Sequence, residues 1–239
     1  FEVMHVYFSQ ISIIRKLKDK LKLLIYKKIS RSKSKLFINP TDLISESLIT
    51  EGEYESITND LIRFKAKKGL NDFFIDIGAN IGLTSCAVGN EFKCVYAFEP
   101  NPLASNILEV NTKINIDKAK VKIHKIALSS KESVEELNIP KHNWGGAFFK
   151  GNTNIYDIKT IIKKDKFKNF REINYLKELI QVRKASDKFK EIFKELNINN
   201  LKKGVVKIDV EGHELFIVKE LIKIVPKDFK IGVVFESQL

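Results

Sequence analysis

Phe73-Phe74-Ile75-Asp76-Ile77-Gly78-Ala79-Asn80-Ile81-Gly82 is the stretch on which the fold turns. A short apolar run carrying one acid stops at a glycine, and a second glycine opens a new apolar segment, Leu83 to Val88. Such a run ended by glycine reads as a buried strand, and the segment behind the turn as the start of a helix.

Working outward, the same grammar repeats. Cys94-Val95-Tyr96-Ala97-Phe98 reads as a second strand, followed by a helix from about Leu103 to Ile114. Val121 to Ile126 is a third strand, Val205 to Ile208 a fourth with a helix from Glu214 to Ile224, and Ile231 to Phe235 a fifth. Ahead of them, Tyr54 to Lys67 has helical spacing and is stopped by Gly69. Strands alternating with helices imply βαβ units, right-handed crossovers and a parallel sheet with helices on both faces. The expected class is therefore α/β, of Rossmann-like type.

One stretch interrupts the alternation. After a strand at Val134 to Ile139 come His142-Asn143-Trp144-Gly145-Gly146 and a lysine-rich insertion over about 147–178. Leu179 to Arg183 then reads as strand and Asp187 to Leu196 as helix. So long an excursion is either a lid or substrate-binding element, or a surface insertion without chemistry. The sequence leaves both open.

The chain has 239 residues, 44% hydrophobic, enough for one sizeable core with a small appendage. A charged fraction of 30% with 10% aromatics excludes global disorder. No apolar run reaches the roughly 18–20 residues that span a bilayer, and the opening lacks the basic-then-apolar pattern of a signal peptide. It begins at Phe1 rather than Met, as expected of a numbering that starts inside a longer product. Cys86 and Cys94 show neither CxxC nor zinc spacing, so two thiols in a reducing, cytoplasmic setting are the simpler reading.

Net charge is +12, from 42 Lys and Arg against 30 Asp and Glu. Basic excess suits phosphate-rich partners or anionic membranes, but an Ile-, Asn- and Lys-rich composition accounts for it equally well. Lys and Arg crowd positions 15–35, among Leu17, Leu21, Leu24 and Ile25 at helical spacing. Residues 1–40 thus read as a basic helical extension and 41–239 as the main domain. The extension is expected to pack on that domain. A peripheral contact with anionic membrane through residues 15–35 is the alternative.

Parallel α/β sheets bind ligands at the carboxyl ends of their strands, and the distinctive polar residues all fall there. Gly78, Asn80 and Gly82 follow the first strand, where glycines allow a tight turn and close approach of a ligand. Glu99 ends the second strand, where a carboxylate can accept bonds from both hydroxyls of a ribose. A dinucleotide fold would want G-x-G-x-x-G with a helix end on pyrophosphate. Here the spacing is G-x-x-x-G behind an acid, Asp76, which repels pyrophosphate but suits an ammonium group. S-adenosylmethionine carries an ammonium group and a ribose, and so fits better than NAD.

With these residues in view, the chain resembles the FkbM family of methyltransferases. The resemblance is carried by Phe74 to Gly82, Tyr96 to Pro102, Ala127-Leu128-Ser129, Lys207-Ile208-Asp209-Val210-Glu211-Gly212-His213-Glu214 and Val234-Phe235-Glu236. Tyr54-Glu55 and Trp144-Gly145-Gly146 resemble shorter signatures. It implies a class I methyltransferase fold and methylation of a hydroxyl on a sugar, glycan or natural product. It also implies that Asp76, Gly78, Ala79, Asn80, Gly82 and Glu99 hold the cofactor, with Pro100, Asn101 and Ala127 near the adenosine. Asp209, Glu211 and Glu214 would line the reacting face. The class I fold continues past its fifth strand into an antiparallel pair, whereas this sequence stops at Leu239, as a truncated chain would.

An alcohol acceptor must lose a proton, so the residues after the fourth strand are the catalytic candidates: Asp209, Glu211 and His213, the two acids ahead of the histidine. His213 has a suitable imidazole at a position the family pattern leaves open. Glu214 is better placed to cap its helix. Asp209 and Glu211 alone make an incomplete magnesium site, so no metal is expected. His142 beside Trp144 would meet a sugar ring, or simply pack a loop. An RNA methyltransferase or a basic nucleic-acid-binding protein is the rival reading; scarce Arg and the lack of any recognised binding motif disfavour nucleic acid.

Overall fold

The computed structural model describes residues 35–39, 42, 45, 48, 52–149, 160 and 171–235. The basic helix expected before residue 35, most of the lysine-rich stretch after Phe149, and Glu236 lie outside them. In chain order the elements begin with helix α1 (Ser56–Lys67), strand β1 (Phe73–Ile77), α2 (Leu83–Val88), β2 (Cys94–Phe98), α3 (Pro102–Asn115) and β3 (Val121–His124). There follow β4 (Ala127–Ser129), β5 (Ser133–Pro140), β6 (Phe148–Phe149), β7 (Tyr175–Lys184), α4 (Ala185–Ile198), β8 (Lys203–Ile208), α5 (Glu214–Ile224) and β9 (Lys230–Phe235).

Five of these strands form the expected parallel sheet, in the order β3-β2-β1-β8-β9. β1 is buried at every position, because helices cover both its faces. On one face Phe74, Val95 and Val205 pack against Ile62 and Ala66 of α1 and Val88 of α2. On the other, Phe73, Ile75, Val206 and Ile208 meet Phe189, Ile192 and Phe193 of α4, with Ile217 and Leu221 of α5. Each of the large side chains among them contributes roughly 1.5–3 kcal/mol when removed from water. Register aligns the site. Ile77 pairs with both Phe98 and Ile208, so Gly78, Glu99 and Asp209 each emerge one residue beyond the paired ends.

A second sheet, ordered β4-β7-β5-β6, stands beside the first. Its apolar face, Leu137, Ile139, Ile180 and Val182, carries Trp144, Ala147 and Phe149. The stretch around 147–178 thus contributes strand to this sheet at both of its ends.

Three sequence expectations need correction. The third strand does not run from Val121 to Ile126: it ends at His124, and Lys125-Ile126 carry the chain across to β4 in the other sheet. The strand expected at Leu179 to Arg183 begins four residues earlier, at Tyr175, pairing with β5 along its length. Leu176, Lys177, Glu178 and Leu179 are all exposed there, so burial leaves no alternating pattern to read. Finally, α1 starts at Ser56 rather than Tyr54, because Glu55 takes left-handed backbone angles, φ 50° and ψ 49°. For a residue with a side chain that conformation costs roughly 1–2 kcal/mol.

Candidate active site

A cavity of about 400 Å³ opens between the carboxyl ends of β1, β2 and β8 and the apolar face of the second sheet. That is the size of a small-molecule site. Its wall is built from the residues upward. At Gly78 the chain turns with φ 81°, and the Gly78 and Ala79 N–H groups both donate to the Phe98 carbonyl, at 3.0 and 2.9 Å. Asn80, also left-handed at φ 50°, donates its N–H to Glu99 Oε2 at 2.8 Å. The other oxygen of Glu99 accepts from Asn101 N at 2.8 Å. The carboxylate is therefore fixed by two strand ends at once.

Burial pushes the Glu99 carboxyl up to about 7. The Asn101 and Asn80 N–H groups pull it back, and Asp76 and Asp209 add to the rise. The group sits at the edge of ionisation at neutral pH.

Of the residues expected to hold a cofactor, Gly78, Ala79, Asn80, Glu99, Pro100 and Ala127 line the cavity. Asp76, Gly82 and Asn101 stand behind it. Gly82, at φ 87°, begins α2 and packs so closely on Leu108 that a Cβ would lie 2.7 Å from its Cδ1. Asn101 caps α3 through Leu103 N at 3.0 Å and donates to the Trp144 carbonyl at 3.3 Å. Asp42 accepts from Trp144 N at 2.8 Å, so the Trp144 loop is held from two directions. Trp144 and Asn143 line the cavity, whereas His142 is not in its wall.

Asp76 is fully buried and accepts from Ser85 Oγ at 2.6 Å. Its other oxygen, Oδ1, has no hydrogen-bond partner and lies 3.9 Å from the ammonium of Lys207. The reason is register: Asp76 and Lys207 are neighbours across β1 and β8. Lys207, itself buried, donates to Asp209 Oδ2 at 2.8 Å and faces the cavity. Burial alone would lower its pKa, but Asp209, Asp76 and Glu55 reverse that and hold it protonated. Burial pushes the Asp76 carboxyl upward, and Lys207 opposes the push.

The three catalytic candidates, Asp209, Glu211 and His213, line the cavity together, whereas Glu214, expected on the reacting face with the two acids, is not in its wall. Burial lowers the His213 pKa, so its imidazole is neutral at pH 7, edge-on to Phe149 at 6.2 Å. Glu214 turns back onto the loop, its Oε1 accepting from Val210 N and Gly212 N at 3.2 and 3.4 Å. Sequence reasoning gave no site role to three titratable wall residues, Tyr54, Glu55 and Lys207. The thiols offer no rival chemistry, because burial pushes Cys86 up to about 12 and Cys94 up to about 11. Among the described residues no group of three or more His, Cys, Asp or Glu could hold a metal ion.

The model of the methyltransferase FkbM domain family matches residues 76–239, from Asp76 of β1 to the last residue of the chain. The chain belongs to this family. It is a methyltransferase, and its parallel sheet is the class I, Rossmann-like sheet of such enzymes. Among solved structures, the precorrin 8W decarboxylase of Methanobacterium thermoautotrophicum is similar to this FkbM domain at 14% identity and a TM-score of 0.42. That similarity covers 83% of this chain and 68% of the other. The aTrm5 structure in complex with tRNALeu is 31% identical at a TM-score of 0.25, over 29% of this chain and 21% of that one. No curated protein sequence matches the chain.

Proposed function

We propose that this methyltransferase takes its methyl group from S-adenosylmethionine and delivers it to a hydroxyl of a neutral sugar, glycan or natural-product acceptor. The observation that carries the reading is the character of the cavity wall. Glu99, Glu55, Asp209 and Glu211 face one cation, Lys207, beside the aromatic rings of Trp144 and Phe149.

The cofactor fits the residues present. Each Glu99 oxygen keeps a lone pair after its backbone bond, so the pair can receive both hydroxyls of a ribose. Ile126, Ala127 and Leu128 give the β3 side an apolar lining suited to adenine. The amino-acid end would then extend the other way, toward β8. An acid-rich wall suits a ligand with both sulfonium and ammonium, and opposes the pyrophosphate of a dinucleotide. When bound, the cofactor supplies a methyl carbon made electrophilic by a positively charged sulfur. The chain's own task is alignment. Asp209 and Glu211 accept bonds from the acceptor's neighbouring hydroxyls, neutral His213 helps close that end, and Trp144 and Phe149 offer ring faces. A polyanionic acceptor such as RNA would have to approach four carboxylates, so the wall favours a neutral acceptor.

Calorimetry with S-adenosylhomocysteine and NAD tests the cofactor half. Binding of NAD but not of the S-adenosyl compound would sink it. Isotope-labelled methyl transfer tests the acceptor half, using methyl glycosides of hexoses and deoxyhexoses alongside short RNA. Transfer to glycosides with one proton released per methyl is expected. Transfer to RNA instead would replace the acceptor assignment.

Glu99 adds a pH dependence. Its ionised form accepts the ribose hydroxyls, and its pKa is raised, so binding must expel a proton at low pH. Affinity for S-adenosylhomocysteine should rise about tenfold from pH 6 to pH 8. Glu99→Gln should flatten that profile and weaken binding at pH 8 by roughly ten- to hundredfold. A flat wild-type profile would place the ribose elsewhere.

A further inference from the structure

The left-handed backbone at Glu55 has a consequence for the wall. Successive residues of an α-helix point about 100° apart. A helix running through Tyr54 and Glu55 would therefore splay the two side chains. The chain breaks at Glu55 instead, and both line the cavity. Gly52, at φ 85°, already supplies a left-handed residue nearby, so chain reversal by itself leaves the second one without a purpose. Backbone held in such a region tends to mark residues aimed for function.

The half-buried Glu55 carboxylate is bonded by the phenol of Tyr54. It is faced by Lys207 of β8, by Asp209 just past it and by Asp76 of β1. Asp209 is already engaged by the Lys207 ammonium at 2.8 Å, and Glu99 by two backbone N–H groups. Glu55 reaches the wall with only a neutral phenol bonded to it among the contacts described.

We propose that Glu55 is a catalytic residue, the carboxylate that receives the proton of the acceptor hydroxyl, oriented for that task by Tyr54. This rests on the O-methyl transfer reading above. As the acceptor oxygen forms its bond to the methyl carbon, its proton passes to a Glu55 oxygen. The sulfur–methyl bonding pair stays on sulfur, which changes from sulfonium to neutral thioether. Water then takes the proton from Glu55. Burial pushes the Glu55 carboxyl above its ordinary range; Lys207 and the Tyr54 bond pull it back, Asp209 and Asp76 push it further, and the net direction is upward. That is the direction a proton acceptor working near neutral pH needs.

The test uses the full chain with Glu55→Gln, Glu55→Asp and Glu55→Gly. S-adenosylhomocysteine serves as the binding probe and the methyl glycosides as acceptors. Glu55→Gln should bind S-adenosylhomocysteine within about twofold of wild type, while kcat falls roughly 10²–10³-fold and the acidic limb of the kcat profile, taken at saturating cofactor so that Glu99 does not contribute, disappears. Glu55→Asp should recover part of the rate and keep the limb. Glu55→Gly relieves the left-handed strain, so it should match or exceed wild type in Tm while being as inactive as Glu55→Gln. Undiminished turnover in Glu55→Gln, or an unchanged acidic limb, overturns the proposal. A tenfold loss of S-adenosylhomocysteine affinity would make Glu55 a cofactor ligand instead, and overturns it too. If wild type binds no S-adenosylhomocysteine or methylates no glycoside, the functional reading fails, and this assignment with it.

Discussion

Gly78→Ala is expected to lower Tm by roughly 6–12 °C, corresponding to about 3 kcal/mol, and to abolish binding of S-adenosylhomocysteine. Two costs add at this position. Its φ of 81° is one that alanine adopts at roughly 1–2 kcal/mol. The new Cβ would also stand 1.7 Å from the Asp209 carbonyl oxygen and 2.8 Å from its carbon, so backbone must move, which adds roughly 1–3 kcal/mol. Neither partner is free to move cheaply. Asp209 N is bonded to the Ile77 carbonyl at 2.9 Å, and Gly78 N to the Phe98 carbonyl at 3.0 Å. Relief of the clash therefore parts the ends of β1, β2 and β8, which carry Glu99 and Asp209. Gly69→Ala is the control, because φ there is 91° with nothing within 4 Å of the new Cβ. Thermal unfolding of both variants separates the terms. Equal losses in the two would mean that the Asp209 contact counts for nothing.

The contrast between these glycines reflects what was legible in the sequence. Phe73 to Gly82 announced strand, turn and helix because the apolar run and the glycines are local signals, and Glu99 announced itself by ending the next apolar run. Lys207 carried no comparable signal. Inside an apolar strand it reads as an interruption, and its meaning appears only once β8 is known to lie beside β1 with Lys207 opposite Asp76. For the same reason Asp76 was expected at the ligand, whereas the register gives it to Lys207 and Ser85. Glu55 was hidden differently. Helical spacing continues through it, and only a backbone angle, which no residue pattern encodes for a glutamate, breaks the helix there. β4, with three residues, is too short for any periodicity to show.

Lys207→Met should destabilise the protein by about 3–5 kcal/mol, the cost of leaving a buried charge without its partner. Methionine fills a similar volume, so packing is nearly preserved and the loss is electrostatic. Two acids are abandoned. Asp209 can turn to solvent, being only partly buried, but Asp76 is sealed, with Oδ1 already lacking a hydrogen bond. The sign with pH follows. Without Lys207, burial raises the Asp76 carboxyl further, so the folded variant holds a proton that the unfolded chain releases above its ordinary pKa. Stability from that proton is complete at low pH and is lost as pH rises toward the folded-state value. The deficit measured by urea unfolding should therefore be larger at pH 8 than at pH 5. Adding Asp76→Asn removes the stranded charge, so the double variant should recover at least half of the loss at pH 8. Lys207→Arg keeps the charge and should lose less than Lys207→Met. A deficit independent of pH, untouched by Asp76→Asn, would reduce Lys207 to a packing residue. It would also remove the reason for a lysine in the middle of a buried strand.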